Sequence, residues 1–371
     1  MKLGKRLEIG LKRAVSSIFR MLGRTEPISP PETIRRVLFI RYGGIGDMIL
    51  SLPVFRAARA RHPQAMIDVL CDRKNAGPLL GTGLADRVFC YEKNPFKVTR
   101  LVLTLRRRRY DYIVNLVAYP SFTFGILAQQ IGPRAVRVAG DQGEFAYFYN
   151  RLVDLPPKAE IHMLQRLFLL AADITGPKVS GTEVPWVVYP NEVRRVAGQL
   201  LAGVVRVLSP RPRLIAVNIS AGLPRREWPL EKYAQFLRAA VGKYQDPLWR
   251  WAIISDPAKP GKARALAELL PPSTVEVLPP MGDFRVMMEF LRHCYVLITP
   301  DTSFSHAASA MGTPALNLMI GENVKTWAPI GVPHRIVASA DPKNLAELPV
   351  EEVLKAFEEL TTCLAATGGE K

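Results

Sequence analysis

Two runs of alternating apolar and helix-periodic segments, separated by a proline-rich break, constrain this chain more than any other feature. After Pro30-Pro31, Val37–Tyr42 is apolar, Asp47–Arg61 has helical period and Met66–Cys71 is apolar again, with strand-like runs following at Val88–Tyr91 and Tyr112–Leu116. The periodicity breaks at Ser209-Pro210-Arg211-Pro212-Arg213. A second alternation then runs through Leu214–Ser220, a helix from Leu230, Trp249–Ser255, a helix from Gly261 and Val275–Leu278. It continues with a helix from Phe284, Tyr295–Thr299, a helix from Thr302 and Pro314–Met319, and Val350–Leu364 reads as a terminal helix. Such alternation builds a parallel sheet with helices on both faces. The expected class is therefore α/β, with two Rossmann-like domains facing a central cleft. Their expected limits are a basic segment over 1–30, a first domain over 33–208, a second over 214–345, and a C-terminal helix and tail over 346–371. A chain of 371 residues that is 48% apolar has enough material for two cores.

Charge narrows the partners rather than the fold. Lys and Arg outnumber Asp and Glu by 50 to 33, a formal net charge of +17, which favours nucleic acid, anionic lipid or phosphorylated substrates. No nucleic-acid-reading module accompanies that charge, so nucleic acid is not an expected partner. Cys71, Cys90, Cys294 and Cys363 are scattered, without a CxxC pair or a His at zinc-ligand spacing, so no metal site is expected and a reducing compartment fits. No apolar run approaches the ~18 residues of a membrane span.

Within the first 24 residues seven Lys or Arg face one acid, Glu8. On a helix Leu3, Leu7, Leu11, Val15, Ile18 and Leu22 form one stripe, with Arg6, Arg13, Arg20 and Arg24 opposite. That is the form of an interfacial helix, although Gly4, Gly10 and Gly23 weaken it and a frayed tail or a packed helix has the same pattern.

The first chemical signal is Arg41-Tyr42-Gly43-Gly44-Ile45-Gly46-Asp47, a glycine turn that opens a helix after the first strand. Turns of this kind let backbone amides approach an anion. Read as a dinucleotide fingerprint the turn is incomplete, because the third glycine position is Ile49, and there is no Walker lysine. A nicotinamide-dependent oxidoreductase, with Asp72 as the ribose-binding acid, is weakened but stays open. Asp47 stands where open α/β sheets place ligands, as a helix cap or as a working carboxylate.

In the second domain Ile298-Thr299-Pro300-Asp301-Thr302-Ser303-Phe304-Ser305-His306 carries a strand into a helix under a cluster of hydroxyls. Free amides, the helix dipole and these hydroxyls suit a diphosphate, with His306 close by; an ordinary N-cap and a solvated His306 would leave the same residues. Ser220-Ala221-Gly222-Leu223-Pro224-Arg225-Arg226-Glu227-Trp228-Pro229 adds a small-residue loop with two guanidinium forks that match phosphate oxygens. Trp228 reads as a packing residue. Arg106-Arg107-Arg108-Arg109 ends a helix and reads first as a solvated face, with complementing the helix C-terminus and contact with anionic headgroups or acceptor phosphates left open.

These segments, in this order and spacing, resemble glycosyltransferase family nine, the lipopolysaccharide heptosyltransferases. The stretches that carry the resemblance are VLFIRYGGIGDMILSLPVFRAAR, the RREWP run, and DTSFSHAASAMGTPALNLM with a WAP at Trp327, within about residues 35 to 330. The resemblance implies a GT-B fold, no metal or cofactor, inversion at the anomeric centre, and an ADP-sugar, ADP-heptose or a relative of it, as donor. It implies Asp47 as base beside an acceptor-side loop of Gly43, Gly44 and Gly46. Ser220, Gly222, Arg226, Met281, Asp301, Thr302, Ser303 and His306 would bind the donor. A glycolipid acceptor, a cytoplasmic location and peripheral contact with the anionic inner face of the membrane follow from the same resemblance. Arg226 stands where the family often has lysine, and Ser303 where it often has glycine.

Overall fold

The computed structural model describes residues 28–117, 119–176, 183–205, 212–259, 261–321, 324–341 and 343–367. The expected amphipathic segment over the first 24 residues and most of the proline-rich break lie outside them. Packing divides the chain into two compact units, Met1–Pro157 with Leu164–Gly181, and Lys158–Met163 with Thr182–Lys371.

The first unit holds β1 (Arg36–Arg41), β2 (Met66–Cys71), β3 (Arg87–Cys90), β4 (Tyr112–Asn115), β5 (Val136–Ala139) and β6 (Arg151–Leu152), all parallel, in the order β3-β2-β1-β4-β5-β6. Val37 to Arg41 are all buried, which is why β1 reads as a continuous apolar run rather than an alternation. The single helix expected over Asp47–Arg61 is two, Ile45–Ile49 and Leu52–Arg61. Pro53 lacks the N–H that would bond back to Ile49, and Ser51 takes the N-cap position of the second helix. The core gathers Leu38, Ile40, Ile113, Phe124 and Phe148.

The second unit repeats the winding with β7 (Arg213–Asn218), β8 (Trp249–Ile254), β9 (Glu276–Val277), β10 (Val296–Pro300), β11 (Ala315–Ile320) and β12 (His334–Ser339), in the order β12-β11-β10-β7-β8-β9. In each sheet the first and fourth strands of the unit are neighbours, so the strand order reverses at β1/β4 and at β7/β10. Ligands of open α/β sheets bind outside the carboxyl ends of the strands at such points.

The expected first domain ran to residue 208, but the helix Asn191–Val204 belongs to the second unit. It packs on the helix Phe284–Leu291 and buries Val193, Ala197 and Val204. Two side-chain bonds reinforce the attachment: the Tyr189 hydroxyl donates to Met288 Sδ at 3.2 Å, and Arg292 Nη2 donates to the Val187 carbonyl at 2.8 Å. The helix Val350–Ala366 is likewise part of this unit, lying on the helix Leu230–Lys243 and on β12. Trp228 is 1% exposed and donates from Nε1 to the Leu348 carbonyl at 3.0 Å, so it is a packing residue.

Candidate active site

At the β1/β4 reversal the glycine turn holds an anion that belongs to the protein. Asp47 is the third residue of the helix Ile45–Ile49, and its Oδ2 accepts from the Gly44 amide at 2.8 Å. Its Oδ1 accepts from Arg41 Nη2 at 2.9 Å. Arg41, the last residue of β1, is buried and has two further acceptors, the Leu116 carbonyl at 2.5 Å and the Asp47 carbonyl at 3.0 Å. Burial pulls the Arg41 pKa down and Asp47 pulls it back up. Asp47 thus closes the helix start, and its side chain, 26% exposed, still reaches solvent.

Gly43 has φ of +154°, and a Cβ built there would stand 2.7 Å from Asp47 Oδ2. Glycine is required by backbone and carboxylate together. Gly44 supplies the N-cap and its amide, and Gly46 lies inside the short helix. Tyr119, beyond β4, is 46% exposed; burial first and the Asp47 charge second raise its pKa. Asp72 turns back on its own loop, with Oδ1 accepting from the Lys74 amide at 3.0 Å.

At the β7/β10 reversal the second constellation is tied by Asn218, the last residue of β7. Its Nδ2 donates to Thr299 Oγ1 at 2.9 Å, to the Ser220 carbonyl at 3.2 Å and to Thr302 Oγ1 at 3.3 Å, and its Oδ1 accepts from the Ser220 amide at 3.2 Å. The Thr299 and Thr302 hydroxyls are 3.1 Å apart. Thr302 is the N-cap of the helix Ser303–Met311, with Oγ1 accepting from the Phe304 amide. Ser303, at its first position, is half-buried.

Arg226 reaches across from the loop after β7, with Nη1 3.3 Å from Asp301 Oδ2 and 3.4 Å from the Asp301 carbonyl. Its Nε is buried with no hydrogen-bond partner among the described residues. Asp301 is 7% exposed and His306 5%, so the solvated reading of His306 fails; its ring lies 5.9 Å from that of Trp327. Ser220 Oγ accepts from the Asp256 amide at 2.8 Å, which pins the loop after β8. Gly222 is exposed beside it, and a Cβ there would meet nothing within 4 Å.

The structure thus brings Ser220, Arg226, Asp301, Thr302, Ser303 and His306 to one end of one sheet. Met281 instead lines a depression of about 370 Å³ with Val196, Leu200, Val204 and Leu278, and no other expected donor residue lines it. The arginine run is also corrected: Arg108 is not solvated but pairs with the fully buried Asp68, Nε to Oδ2 2.5 Å, which also accepts from the Tyr110 hydroxyl at 2.6 Å. Arg41, Tyr119, Asn218 and Thr299 were not singled out from the sequence, although three of them stand at or next to the carboxyl end of a strand. Among the described residues no group of His, Cys, Asp and Glu is arranged to hold a metal ion, and no helix is long and apolar enough to cross a membrane.

The sequence profile of glycosyltransferase family 9 (heptosyltransferase) matches residues 98–356. Among solved structures, the glycosyl transferase family 9 protein of Veillonella parvula aligns with a TM-score of 0.75 at 18% identity, over 90% of this chain and 99% of that one. The E. coli ADP-heptose LPS heptosyltransferase II aligns at 0.70 and 20% identity, over 88% and 98%. E. coli heptosyltransferase WaaC with ADP-2-deoxy-2-fluoro heptose aligns at 0.66 and 19% identity, over 87% and 99%. No curated protein matches by sequence. The structural likenesses establish a GT-B type of fold.

Proposed function

Because the chain belongs to glycosyltransferase family 9, the heptosyltransferases, we propose that it moves a heptose from an ADP-sugar to a lipopolysaccharide-core or similar glycolipid acceptor, with inversion and without a metal. That it is a glycosyltransferase follows from the family. The observation that carries the finer reading is the Asp47 carboxylate, held at the β1/β4 reversal by Arg41 and the Gly44 amide.

Each oxygen of a carboxylate accepts more than one hydrogen bond, so both can be tethered while one still receives an acceptor hydroxyl. On this reading Asp47 takes the hydroxyl proton as the acceptor oxygen bonds to the anomeric carbon, and the bond from that carbon to the diphosphate breaks on the opposite face. The charge left on the diphosphate is met by the Arg226 guanidinium and by the N-terminal amides and Thr302 and Ser303 hydroxyls of the helix Ser303–Met311. His306 lies on the same helix. Ser220 and Gly222 shape the adjoining loop. The acceptor is a lipid-linked saccharide, which places the enzyme on the cytoplasmic face of the inner membrane.

Calorimetry with ADP, UDP, GDP and NAD, with chelator present, tests the donor, and NMR of the product tests the anomeric outcome. Asp47→Asn is expected to lose transfer on the order of 10²–10⁴-fold while keeping its ADP affinity, whereas Arg226→Ala weakens ADP binding. Normal turnover by Asp47→Asn would remove the base assignment, and binding of NAD alone would remove the whole reading.

A further inference from the structure

The helix Pro95–Arg106 turns an unusual face to solvent. Val98, Leu101 and Val102 pack on the core of the first unit and Leu105 is fully buried, which defines its inner side. Residues on the opposite side follow at three- and four-residue spacing: Phe96, Thr99, Arg100, Leu103 and Arg107 are all exposed. Phe96 is 87% exposed and Leu103 49%, and they stand about 10 Å apart along the axis. Phe96 is the most exposed large apolar side chain among the described residues.

Around these two apolar groups the charge has one sign. From Tyr91 to Tyr110 there are seven Lys or Arg and a single acid, Glu92. Glu92 pairs with Lys97 at 2.6 Å, and Arg108 is turned inward to Asp68. Lys93, Arg100, Arg106, Arg107 and Arg109 are exposed and make no ion pair among the described residues. An aromatic and an aliphatic side chain projecting from a helix flanked by cations match a surface that offers hydrocarbon beneath anionic headgroups. A soluble phosphate would satisfy the cations but leave Phe96 and Leu103 in water.

We propose that this face docks the enzyme on an anionic lipid bilayer, with the helix lying along the interface, Phe96 and Leu103 entering the acyl boundary and the five cations meeting lipid phosphates. The position of the helix gives the docking a use. It begins just after β3, at the carboxyl edge of the sheet, and Tyr91 links that end to the glycine turn: its ring lies 6.0 Å from Tyr42, and both rings pack on Phe124, at 5.9 and 4.9 Å. A lipid-linked saccharide standing on the bilayer beside Phe96 is thereby offered to the edge of the sheet that carries Asp47. This last step rests on the acceptor reading above, whereas the docking face does not.

The test uses the full chain and vesicles of phosphatidylcholine with about one-third phosphatidylglycerol, compared with phosphatidylcholine alone. Combined Phe96→Ser, Arg100→Glu and Arg107→Glu substitutions are expected to lower affinity for the anionic vesicles at least about tenfold, with circular dichroism and ADP affinity unchanged. Because the basic first residues can also bind lipid, a second readout reports on this face directly. Phe96→Trp is expected to add a fluorescence component quenched by brominated acyl chains, over the signal of the five native tryptophans. Undiminished vesicle binding by the combined variant, or an added indole that brominated lipid does not quench, would overturn the proposal. So would loss of affinity for a delipidated phosphorylated saccharide with vesicle binding intact, which would make the face an acceptor-phosphate site. Transfer to that same soluble saccharide reports on the enzymatic reading independently of docking.

Discussion

At Gly43 the absence of a methyl group decides where a carboxylate stands. With φ at +154° and Asp47 Oδ2 2.7 Å from the place a Cβ would take, Gly43→Ala has one cheap response, rotation of the Asp47 side chain away from the Gly44 amide and Arg41. The variant is expected to lose about 1 kcal/mol of stability in denaturant titrations yet at least about tenfold in turnover, since misplacing a reacting group by an ångström is expensive. Equal donor affinity in the two proteins would locate the loss in the chemistry. The positions of Asp47, Thr302 and Arg226 at the ends of strands were legible because each follows an apolar run and a glycine- or proline-marked turn, although a helix cap or a solvated guanidinium leaves the same pattern. Arg41 and Asn218 were not, because each ends an apolar strand and is known only by the atoms that fold back to it from other elements.

Among elements, the carboxyl ends of the paired strands β7 and β10 are tied together by one side chain. Asn218 joins the loops after both strands through Ser220, Thr299 and Thr302, all within the sheet end that carries the second constellation. Asn218→Ala leaves buried hydroxyls without that donor, and is expected to destabilise the protein by about 1–3 kcal/mol in chemical unfolding. On the proposed donor reading it should also weaken ADP several-fold, because Thr302 and Thr299 lose their shared amide donor. Strands such as β1, β4, β10 and β11 were readable as apolar runs, being buried on both faces, whereas β5 and β12, short runs broken by Arg137 and Arg335, were not read. The two-residue strand β6 carries too little pattern to be read, while β9 falls within the expected run Val275–Leu278, and Asn191–Val204 was assigned to the wrong unit because prolines mark chain breaks, whereas packing marks domains.

For the whole molecule, the segment Lys158–Met163 belongs to the second unit although the residues on either side of it belong to the first. The Thr326 hydroxyl donates to the Lys158 carbonyl at 2.8 Å, and His162 Nε2 donates to the Ala328 carbonyl at 3.0 Å. Burial holds the His162 pKa below 6.5, and the carbonyl opposes that shift. The unfolded chain therefore takes up the proton first as pH falls. The contribution of His162 to stability is complete above 6.5 and declines as pH drops through that value toward the lower folded pKa. Urea titrations between about pH 7.5 and 5.5 should show this fall, and His162→Gln should flatten it; an unchanged slope would mean that other groups set the pH response. The discontinuity also bears on modularity. One recombination event near residue 182 would transplant the second half without its own six-residue outlier and set it against a foreign copy. A short stretch encoded inside one half is thereby packed with the other, which couples the two halves of the gene at Lys158–Met163.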